Sequence, residues 1–532
     1  MKTFFLIFLL PALCFANDPS VAISGKVVGR GGVPVSGCVV SMEGSELKAR
    51  SDATGEFLLT GKGPVSKTNA PHIVHIDCPD RPRRTLRLTG TKASLGVVKI
   101  FKQPNFVVIL TDDQGYSDLG TFGSGTAPAE GWLEKDRIPI PTPRIDRMAA
   151  EGVKFTDFYA QTYCGPSRAQ LMTGSYAARV ATKDNNKGKF DGLFNGTGGV
   201  DLHPSEITIA EVLKKAGYAT GMIGKWHLGI DDGYKPVDQG FDYWWGAHYS
   251  NDSGSFPLYE NDKLIGTYDD MAHVTRDYST KAIKWIGEHK EKPFFMWLAH
   301  AMPHKKIGAS EPFKGTTARG LYGDVIAEID WQTGQLLDAL KKWDIDDNTV
   351  VVFFSDNGHW GKSEDAGSSY PLRGSKLGPY EGGHRVCFVA RGPGIIPPGT
   401  VNHEIATSMD LMPTFAKLAG ATMPADRIID GKDIEPLLRI EEGAVSPHEA
   451  YFLYKTTTLK SVRQGKWKLH IRYEDKSILE GELYDLDADI GETNDVSGSN
   501  PAVVNRLMAL ARAARADIGD FHVDGTGHRM AK

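Results

Sequence analysis

The sequence predicts an α/β protein built around a doubly wound sheet, and two observations lead to this fold class. Apolar runs after Pro104 have the length and composition of strands buried on both faces: FVVIL (106 to 110), YATGMIG (218 to 224), PFFMWLA (293 to 299) and TVVVFFS (349 to 355). Between these runs lie amphipathic helical patterns, among them TPRIDRMAAEG, EITIAEVLKKAG and DVIAEIDWQTGQLLDALKKW. Alternation of this kind predicts helices on both faces of the sheet.

Residues 17 to 101 precede this sheet and have a different pattern. Short alternating stretches separated by turn residues predict a small β-sandwich: AISGKVV, CVVSMEG, GEFLLTG, IVHIDCP, TLRLTG and VVKIF. The stretch GKVVGRGGVPVSGCVVSMEG, followed by SDATGEFLLTG, resembles carboxypeptidase regulatory-like and related immunoglobulin-like accessory modules. This resemblance implies a spacer or sheet-edge role rather than chemistry.

The remaining boundaries follow from changes in pattern. The sheet-forming domain is predicted to span residues 102 to 445, and residues 446 to 532 are predicted to form a smaller α+β subdomain. In the latter, SVRQGKWKLHIRYE and GELYDLDADIGETNDV have the pattern of antiparallel strands, and PAVVNRLMALARAA that of a helix.

The N-terminus has the pattern of a secretory signal peptide. MKTFFLIFLLPALCFA combines a lysine, an apolar run and a small residue at Ala16, which predicts cleavage before Asn17 and a secreted or periplasmic protein. The run is too short for a membrane anchor, and no later stretch is long and apolar enough for a membrane span. Cys38 and Cys78 can pair in such a compartment, but their spacing does not decide whether they do.

The composition limits the choice of partners. With 532 residues, 41% apolar and 24% charged, the chain has a globular composition, and its formal net charge is −5. A net charge this small for a chain of this length argues against nucleic acid or an anionic membrane surface as the main partner. An anionic substrate therefore requires a local cluster of basic side chains.

Polar side chains follow two of the predicted strands, where ligands of doubly wound sheets bind. Asp112 and Asp113 come directly after FVVIL and Thr111, and Asp356 and Asn357 follow TVVVFFS. One Asp-Asp pair after a strand is usually a helix cap, but a second pair in the equivalent place favours a shared site. Carboxylate and amide oxygens without histidine or cysteine ligands favour Ca²⁺ or Mg²⁺ over Zn²⁺.

Cys164 lies in QTYCGPSRAQLMTG, where Pro166 suits the first turn of a helix that begins at or just after the cysteine. A thiolate nucleophile would need a histidine base and no hard metal ion. Soft sulfur beside hard oxygen ligands is a chemical mismatch. An aldehyde hydrate at this position removes the mismatch, because it offers one oxygen to the metal and a second hydroxyl.

Several segments resemble the type I sulfatases, which have an alkaline-phosphatase-like fold. CGPSR is similar to the Cys-x-Pro-x-Arg motif whose cysteine is oxidised to formylglycine. The resemblance runs from about Pro104 to Val386, through PNFVVILTDDQGYSDLG, YATGMIGKWHLG, PHKK, FFSDNG and GSKLGPYEGGHR, and returns in KWKLH and ELYDLDAD. One departure is Ser175, where the family often has a basic residue, which bears on the efficiency of maturation.

The resemblance implies a role for each matching residue. It implies a Ca²⁺ site formed by Asp112, Asp113, Asp356, Asn357 and the formylglycine made from Cys164. It further implies that Arg168 braces this residue, that Lys225 and His227 flank it, and that His304 and Lys376 hold the sulfate and the ester oxygen. His300 is a neighbouring histidine that fits the family pattern less well than His304.

The resemblance also implies a sulfated carbohydrate as substrate and a formylglycine-generating enzyme as maturation partner. Residues 241 to 252 (FDYWWGAHYSND) offer aromatic rings that can stack on sugars, although core packing explains Trp244 and Trp245 at least as well. Alternatives that stay open are an arylsulfatase or choline-sulfatase-like hydrolase of small esters, a phosphonate monoester hydrolase, and an inactive carbohydrate-binding protein.

Overall fold

The computed structural model of this chain describes residues 20–28, 34–43, 45–62, 72–78, 84–88, 92–99, 103–181, 201–252, 256–361 and 365–529. The predicted signal peptide lies outside these residues. The chain divides into two compact units, one ending at Gln103 and the other beginning at Pro104. No helix in the described ranges is long and apolar enough to cross a membrane.

The N-terminal unit contains two small sheets. Its strands are β1 (Ser20–Val28), β2 (Val39–Met42), β3 (Lys48–Arg50), β4 (Glu56–Lys62), β5 (His72–Asp77), β6 (Arg84–Leu88) and β7 (Lys92–Lys99). The sheet orders are β4-β1-β7 and β3-β2-β5-β6. Both sheets contribute to one apolar cluster, with Ile23 and Leu59 from the first and Val40 and Val74 from the second. Within the described residues this agrees with the predicted sandwich, and Cys38 and Cys78 form a disulfide.

The second unit contains a large mixed sheet. Its strands are β8 (Asn105–Thr111), β9 (Val153–Tyr159), β10 (Ala219–Lys225), β11 (Tyr243–Ala247), β12 (Phe256–Glu260), β13 (Lys263–Tyr268), β14 (Phe294–Ala299), β15 (Thr349–Ser355), β16 (Arg385–Arg391), β17 (Thr400–Asn402) and β18 (Ala406–Thr407). The order is β13-β12-β11-β10-β14-β8-β15-β16-β9-β17, and β18 also pairs with β9. Strands β11, β10, β14, β8 and β15 are parallel, whereas β16 runs antiparallel to β15.

Helices cover both faces of this sheet. The helices of the unit are α1 (Pro143–Ala150), α2 (Cys164–Thr173), α3 (Ala177–Val180), α4 (Ile209–Lys215), α5 (Val274–His289), α6 (Gly320–Lys342), α7 (Glu381–His384), α8 (Leu411–Ala419), α9 (Glu435–Leu438) and α10 (Pro501–Asp517). Alternate residues of β8 enter two different cores. Phe106 and Val108 pack in the core that includes α4 and α8, and Val107 and Ile109 pack in the core that includes α5 and α6. The doubly wound prediction is confirmed.

The C-terminal part forms a smaller antiparallel sheet of β19 (Tyr451–Lys455), β20 (Thr458–Gln464), β21 (Trp467–Glu474) and β22 (Ser477–Asp485), followed by α10 and the short strands β23 (Gly519–Asp520) and β24 (Val523–Asp524). A third apolar cluster joins Leu469 and Leu507 from this part to Tyr159 of β9. The small antiparallel sheet agrees with the sequence, while the domain boundary at residue 446 stays a prediction.

Candidate active site

Strand register brings the two predicted oxygen-ligand pairs together. Ser355 pairs with Thr111 at the carboxyl ends of the parallel strands β15 and β8, so the residues that follow leave the sheet at the same level. The Asp113 backbone N–H donates to Asp356 Oδ1 at 3.2 Å, and Asn357 Nδ2 donates to Asp113 Oδ1 at 2.7 Å. Asp112, Asp113, Asp356 and Asn357 are all buried.

Cys164 opens helix α2 and faces these carboxylates. Its Sγ lies 3.3 Å from Asp112 Oδ1 and 4.0 Å from Asp113 Oδ1. Lys376 Nζ lies 3.1 Å from the same sulfur and 2.5 Å from Asp113 Oδ1. Burial and the negative charge of Asp112 raise the pKa of the Cys164 thiol, so the thiol is protonated at neutral pH and is a poor nucleophile as it stands.

Arg168 and Lys225 form ion pairs with the carboxylates of the cluster. Arg168 lies one helical turn after Cys164, and its guanidinium is 3.2 Å from Asp356 and 3.5 Å from Asp112. Lys225, at the end of β10, forms a direct ion pair with Asp112. Burial by itself raises the pKa of Asp112, but nearby cations, Lys225 first among them, outweigh burial and hold it well below its usual range.

The two predicted histidines approach the cluster from neighbouring strands. Burial and the charge of Lys225 hold the pKa of His227 well below its ordinary value, so this imidazole is neutral at neutral pH. His304 Nε2 lies 3.6 Å from Asp113 Oδ2. Burial also lowers the pKa of His304, although Asp113 opposes the shift. His300 differs, since burial lowers its pKa to about 3 without a contribution from the charges of the cluster.

The donor set fits a metal ion. Ligand atoms of Asp112, Asp113, Cys164 and His304 all lie within 4.8 Å of one another. Asp113 Oδ2 and Asn357 Oδ1 are buried and have no hydrogen-bond partner in the described part of the chain. Buried oxygens without partners are costly, and a cation that accepts their lone pairs removes the cost. Burial and the adjacent Asp112 also raise the pKa of Asp356, a carboxylate crowding that a cation relieves.

A family model described as Sulfatase matches residues 104–421. The chain belongs to the sulfatase family. A second model, N-sulphoglucosamine sulphohydrolase, C-terminal, matches residues 376–512. The first match covers the whole candidate site, and the second includes Lys376 and the C-terminal sheet. The family assignment confirms the prediction made from the cysteine motif and its flanking segments.

Named relatives agree with this assignment. An arylsulfatase from Hemicentrotus pulcherrimus is 37% identical over 393 residues, covering 70% of this chain and 68% of the relative. The N-acetylgalactosamine-6-sulfatase of Homo sapiens is 35% identical, covering 69% of this chain and 71% of the relative. The crystal structure of Ps i-CgsB in complex with k-i-k-neocarrahexaose has 28% identity and a TM-score of 0.66, covering 77% of this chain and 92% of that one. The chain is thus an enzyme that hydrolyses sulfate esters.

Sequence reasoning missed one residue of this sulfatase's site, and the structure decides between the two explanations offered for Trp244. Asn251 Nδ2 donates to the backbone oxygens of His304 and Lys306, at 3.2 and 2.8 Å, and fixes the loop that carries His304. No local pattern marks this asparagine. In the same segment, Trp244 is fully buried and its Nε1 donates to Gly224 O, so it is a core residue and offers no face to a sugar.

Proposed function

We propose that this sulfatase removes sulfate from a sulfated polysaccharide or oligosaccharide, by means of a formylglycine made from Cys164 and a bound calcium ion. The proposal rests mainly on the buried contacts that Cys164 Sγ makes with Asp112, Asp113 and Lys376 at the sheet edge. A protonated thiol among hard oxygens has no evident use there until it is oxidised. The sugar substrate is supported by relatives named for N-acetylgalactosamine 6-sulfate and by a neighbour bound to neocarrahexaose.

The calcium ion would be held by Asp112, Asp113, Asp356 and Asn357 together with the oxygen that replaces the Cys164 sulfur. Oxygen donors of this kind, including one carboxamide, suit Ca²⁺ better than Zn²⁺. When present, the ion polarises the sulfate group, and the hydrated formylglycine supplies a hydroxyl nucleophile and a route for releasing sulfate.

The chain's own cations bind and orient the sulfate ester. Lys376 Nζ lies beside both Cys164 Sγ and Asp113, and Asp113 raises the pKa of Lys376 against the effect of burial, so this lysine keeps its charge. Arg168 and Lys225 are held by Asp112 and Asp356 before any substrate arrives. Preorganised charges of this type stabilise developing negative charge without reorganisation during the reaction.

Two histidines move protons at opposite ends of the reaction. His304 Nε2 donates a proton to the departing alcohol oxygen, and the negative charge of a bound sulfate ester favours the protonated ring. His304 Nδ1 is oriented by Lys305 O at 2.6 Å and Asn251 Oδ1 at 3.1 Å, which leaves Nε2 directed to the site. His227, neutral because of burial and Lys225, accepts a proton when sulfate is released.

Maturation and export belong to the same proposal. A formylglycine-generating enzyme would oxidise Cys164 before the chain closes around it, since the thiol is buried in the folded protein. The segment MKTFFLIFLLPALCFA would direct the chain to a secreted or periplasmic location.

Chelation tests the metal in this proposal. Treatment with a calcium chelator is expected to abolish hydrolysis of 4-nitrophenyl sulfate, because the carboxylates then repel one another and the sulfate loses a positive partner. Calcium is expected to restore turnover and zinc is not. Full activity in the chelator, or recovery with zinc alone, would reject the calcium site.

A further inference from the structure

A pocket of about 280 Å³ opens beside the site and has no role in the steps above. The lining residues that matter here are Asp113, Lys305, Ile307, Leu321, Trp360 and Asp365. Asp113 connects the pocket to the sulfate-binding cluster. The other residues line a space next to this cluster that is open to the alcohol part of an ester whose sulfate group is held by the cations.

Trp360 is the exposed aromatic residue of this pocket, because the second aromatic residue of the lining, Tyr322, is buried. Its side chain is 37% exposed, in contrast to the buried Trp226, Trp244 and Trp297. The ring centroid lies 5.3 Å from Lys376 Nζ, which is itself 3.1 Å from Cys164 Sγ. Lys376 Nζ therefore lies near both the ring and the nucleophile position, and Lys305 Nζ lies 4.5 Å from the same ring centroid. A group bonded to a sulfate held by Lys376 lies near the indole.

The surroundings of Trp360 match the chemistry of a sugar. A pyranose presents polarised C–H groups on one face, and these are attracted to the electron-rich face of an indole. Leu321, 40% exposed, and Ile307 extend the apolar surface, while the carboxylate of Asp365 can accept hydrogen bonds from hydroxyl groups at the ring edge. An apolar platform with a few polar groups is the usual composition of a ligand pocket.

We propose that this pocket is the subsite for the sugar that carries the sulfate, a pyranose whose C–H face stacks on Trp360. The inference rests on the proposed sulfatase reaction and names the residue that selects a sugar over other alcohols. It transfers to Trp360 the stacking role that the sequence had suggested for residues 241 to 252.

The experiment compares Trp360→Ala and Trp360→Phe with a matched control. Trp331 on α6 is similarly exposed, at 42%, and does not line the pocket, so Trp331→Ala serves as that control. The substrates are galactose 6-sulfate, N-acetylgalactosamine 6-sulfate and carrageenan oligosaccharides, with 4-nitrophenyl sulfate as a general sulfate ester. Inorganic sulfate is the competitive inhibitor that occupies the cation cluster and has no sugar. Thermal unfolding of each variant checks folding.

The subsite predicts that Trp360→Ala raises KM for the preferred sugar sulfate about tenfold, as expected for loss of one aromatic contact. The kcat should change by less than about threefold, because Trp360 makes no contact with reacting atoms. Trp360→Phe should recover most of the loss, and Trp331→Ala should match the wild type. The inhibition constant of inorganic sulfate should be unchanged in all three variants.

Three results would overturn the subsite. An unchanged KM in Trp360→Ala would show that the ring does not bind the sugar. A parallel rise in KM and in the sulfate inhibition constant would show that the ring acts only by holding Lys376. Hydrolysis of 4-nitrophenyl sulfate without hydrolysis of any sugar sulfate would show that the substrate is not a sugar sulfate. If the mature wild type hydrolyses no sulfate ester at all, the proposed function fails, and this result is distinct from the other three.

Discussion

The site at the sheet edge and the contact between the sheet and the C-terminal strands both bury three carboxylates with three cations. The sheet-edge cluster consists of Asp112, Asp113, Asp356, Arg168, Lys225 and Lys376. The C-terminal cluster consists of Asp157, Glu381, Glu492, Arg385, Arg463 and Lys468. Burial removes water from both, so each must replace hydration with internal contacts or leave polar atoms unsatisfied.

In the C-terminal cluster every carboxylate oxygen lies within 3.0 Å of a cationic nitrogen or a hydrogen-bond donor, and the contact of Glu381 Oε1 with Lys468 is an ion pair without hydrogen-bond geometry. Glu492 Oε1 lies 2.8 Å from Lys468 Nζ, and Glu492 Oε2 accepts the Glu381 backbone N–H at 2.7 Å. Glu381 Oε1 lies 3.0 Å from Lys468 Nζ, and Glu381 Oε2 accepts from Tyr159 Oη at 2.6 Å. Arg463 and Arg385 contact the two oxygens of Asp157 at 2.5 and 2.8 Å.

The sheet-edge cluster contains buried oxygens that have no hydrogen-bond partner in the described part of the chain. Asp113 Oδ2 has only His304 Nε2 at 3.6 Å, and Asn357 Oδ1 has no hydrogen-bond partner within the described residues. The two clusters are alike in burial and in formal charge, but they differ in how their carboxylate oxygens are paired. The carboxylates of the C-terminal cluster are paired at short distance and join two parts of the fold, whereas the unpartnered oxygens at the sheet edge could accept a cation.

The largest stability effect is expected from Lys468→Met in the C-terminal cluster. Methionine keeps most of the side-chain volume but leaves Glu381 and Glu492 without their shared cation, at a cost of about 3–5 kcal/mol in the free energy of unfolding. Denaturant unfolding measures the loss. Lys466→Met is the matched control, because Lys466 is 42% exposed in its ion pair with Asp485 and such pairs contribute about 0–1 kcal/mol. Equal losses in both variants would contradict the structural role of the cluster.

A smaller change in stability and a clear change in metal response are expected from Asn357→Ala. The substitution removes an unpartnered oxygen together with one hydrogen-bond donor. The free energy of unfolding, measured in a calcium chelator, should therefore change by no more than about 1 kcal/mol. The calcium concentration for half-maximal activity should rise about tenfold or more, the scale on which perturbed metal sites lose affinity. This concentration is measured by assaying activity over a series of calcium concentrations. A large loss of stability with an unchanged calcium requirement would show that Asn357 has a structural role, like the residues of the C-terminal cluster, and would contradict the prediction.

The smallest effect concerns His448, a partly buried residue outside both clusters whose side chain is 5% exposed. His448 Nε2 lies 2.8 Å from Asp410 Oδ1, and although burial and Lys432 lower its pKa, Asp410 outweighs them and raises it. A raised pKa means that the ion pair stabilises the fold fully below the unfolded pKa of about 6.5 and less as pH rises through the folded pKa. The free energy of unfolding should fall modestly from about pH 6 to pH 8.5, and less so in His448→Gln. If the free energy of unfolding depends on pH identically in the wild type and in His448→Gln, the ion pair between His448 and Asp410 does not contribute to stability.

The sequence allowed the sheet and most of the site to be predicted, because both depend on local patterns. Continuous apolar runs marked the buried strands, and the rule that ligands bind after such strands located Asp112 and Asp356. The antiparallel strand β16 was not predicted. Its direction follows from the loop after β15, which keeps the chain at the carboxyl edge of the sheet before β16 begins.

Contacts between distant segments could not be predicted. Asn251 reaches the backbone of His304 across 53 positions, and nothing near Asn251 in the sequence marks that contact. Composition likewise does not tell which tryptophan faces solvent. Trp244 has Gly246 and His248 within four residues, and Trp360 lies between His359 and Gly361, yet packing buries the first tryptophan and exposes the second.

Mass analysis of the peptide that contains Cys164, taken from active protein, tests the central claim most directly. Conversion of the thiol to an aldehyde lowers the mass by about 18 Da, and the modified fraction should rise and fall with kcat across preparations that differ in maturation. This result would support the assignment of Cys164 as the precursor of the nucleophile. A fully active preparation whose Cys164 is an unmodified thiol would contradict it.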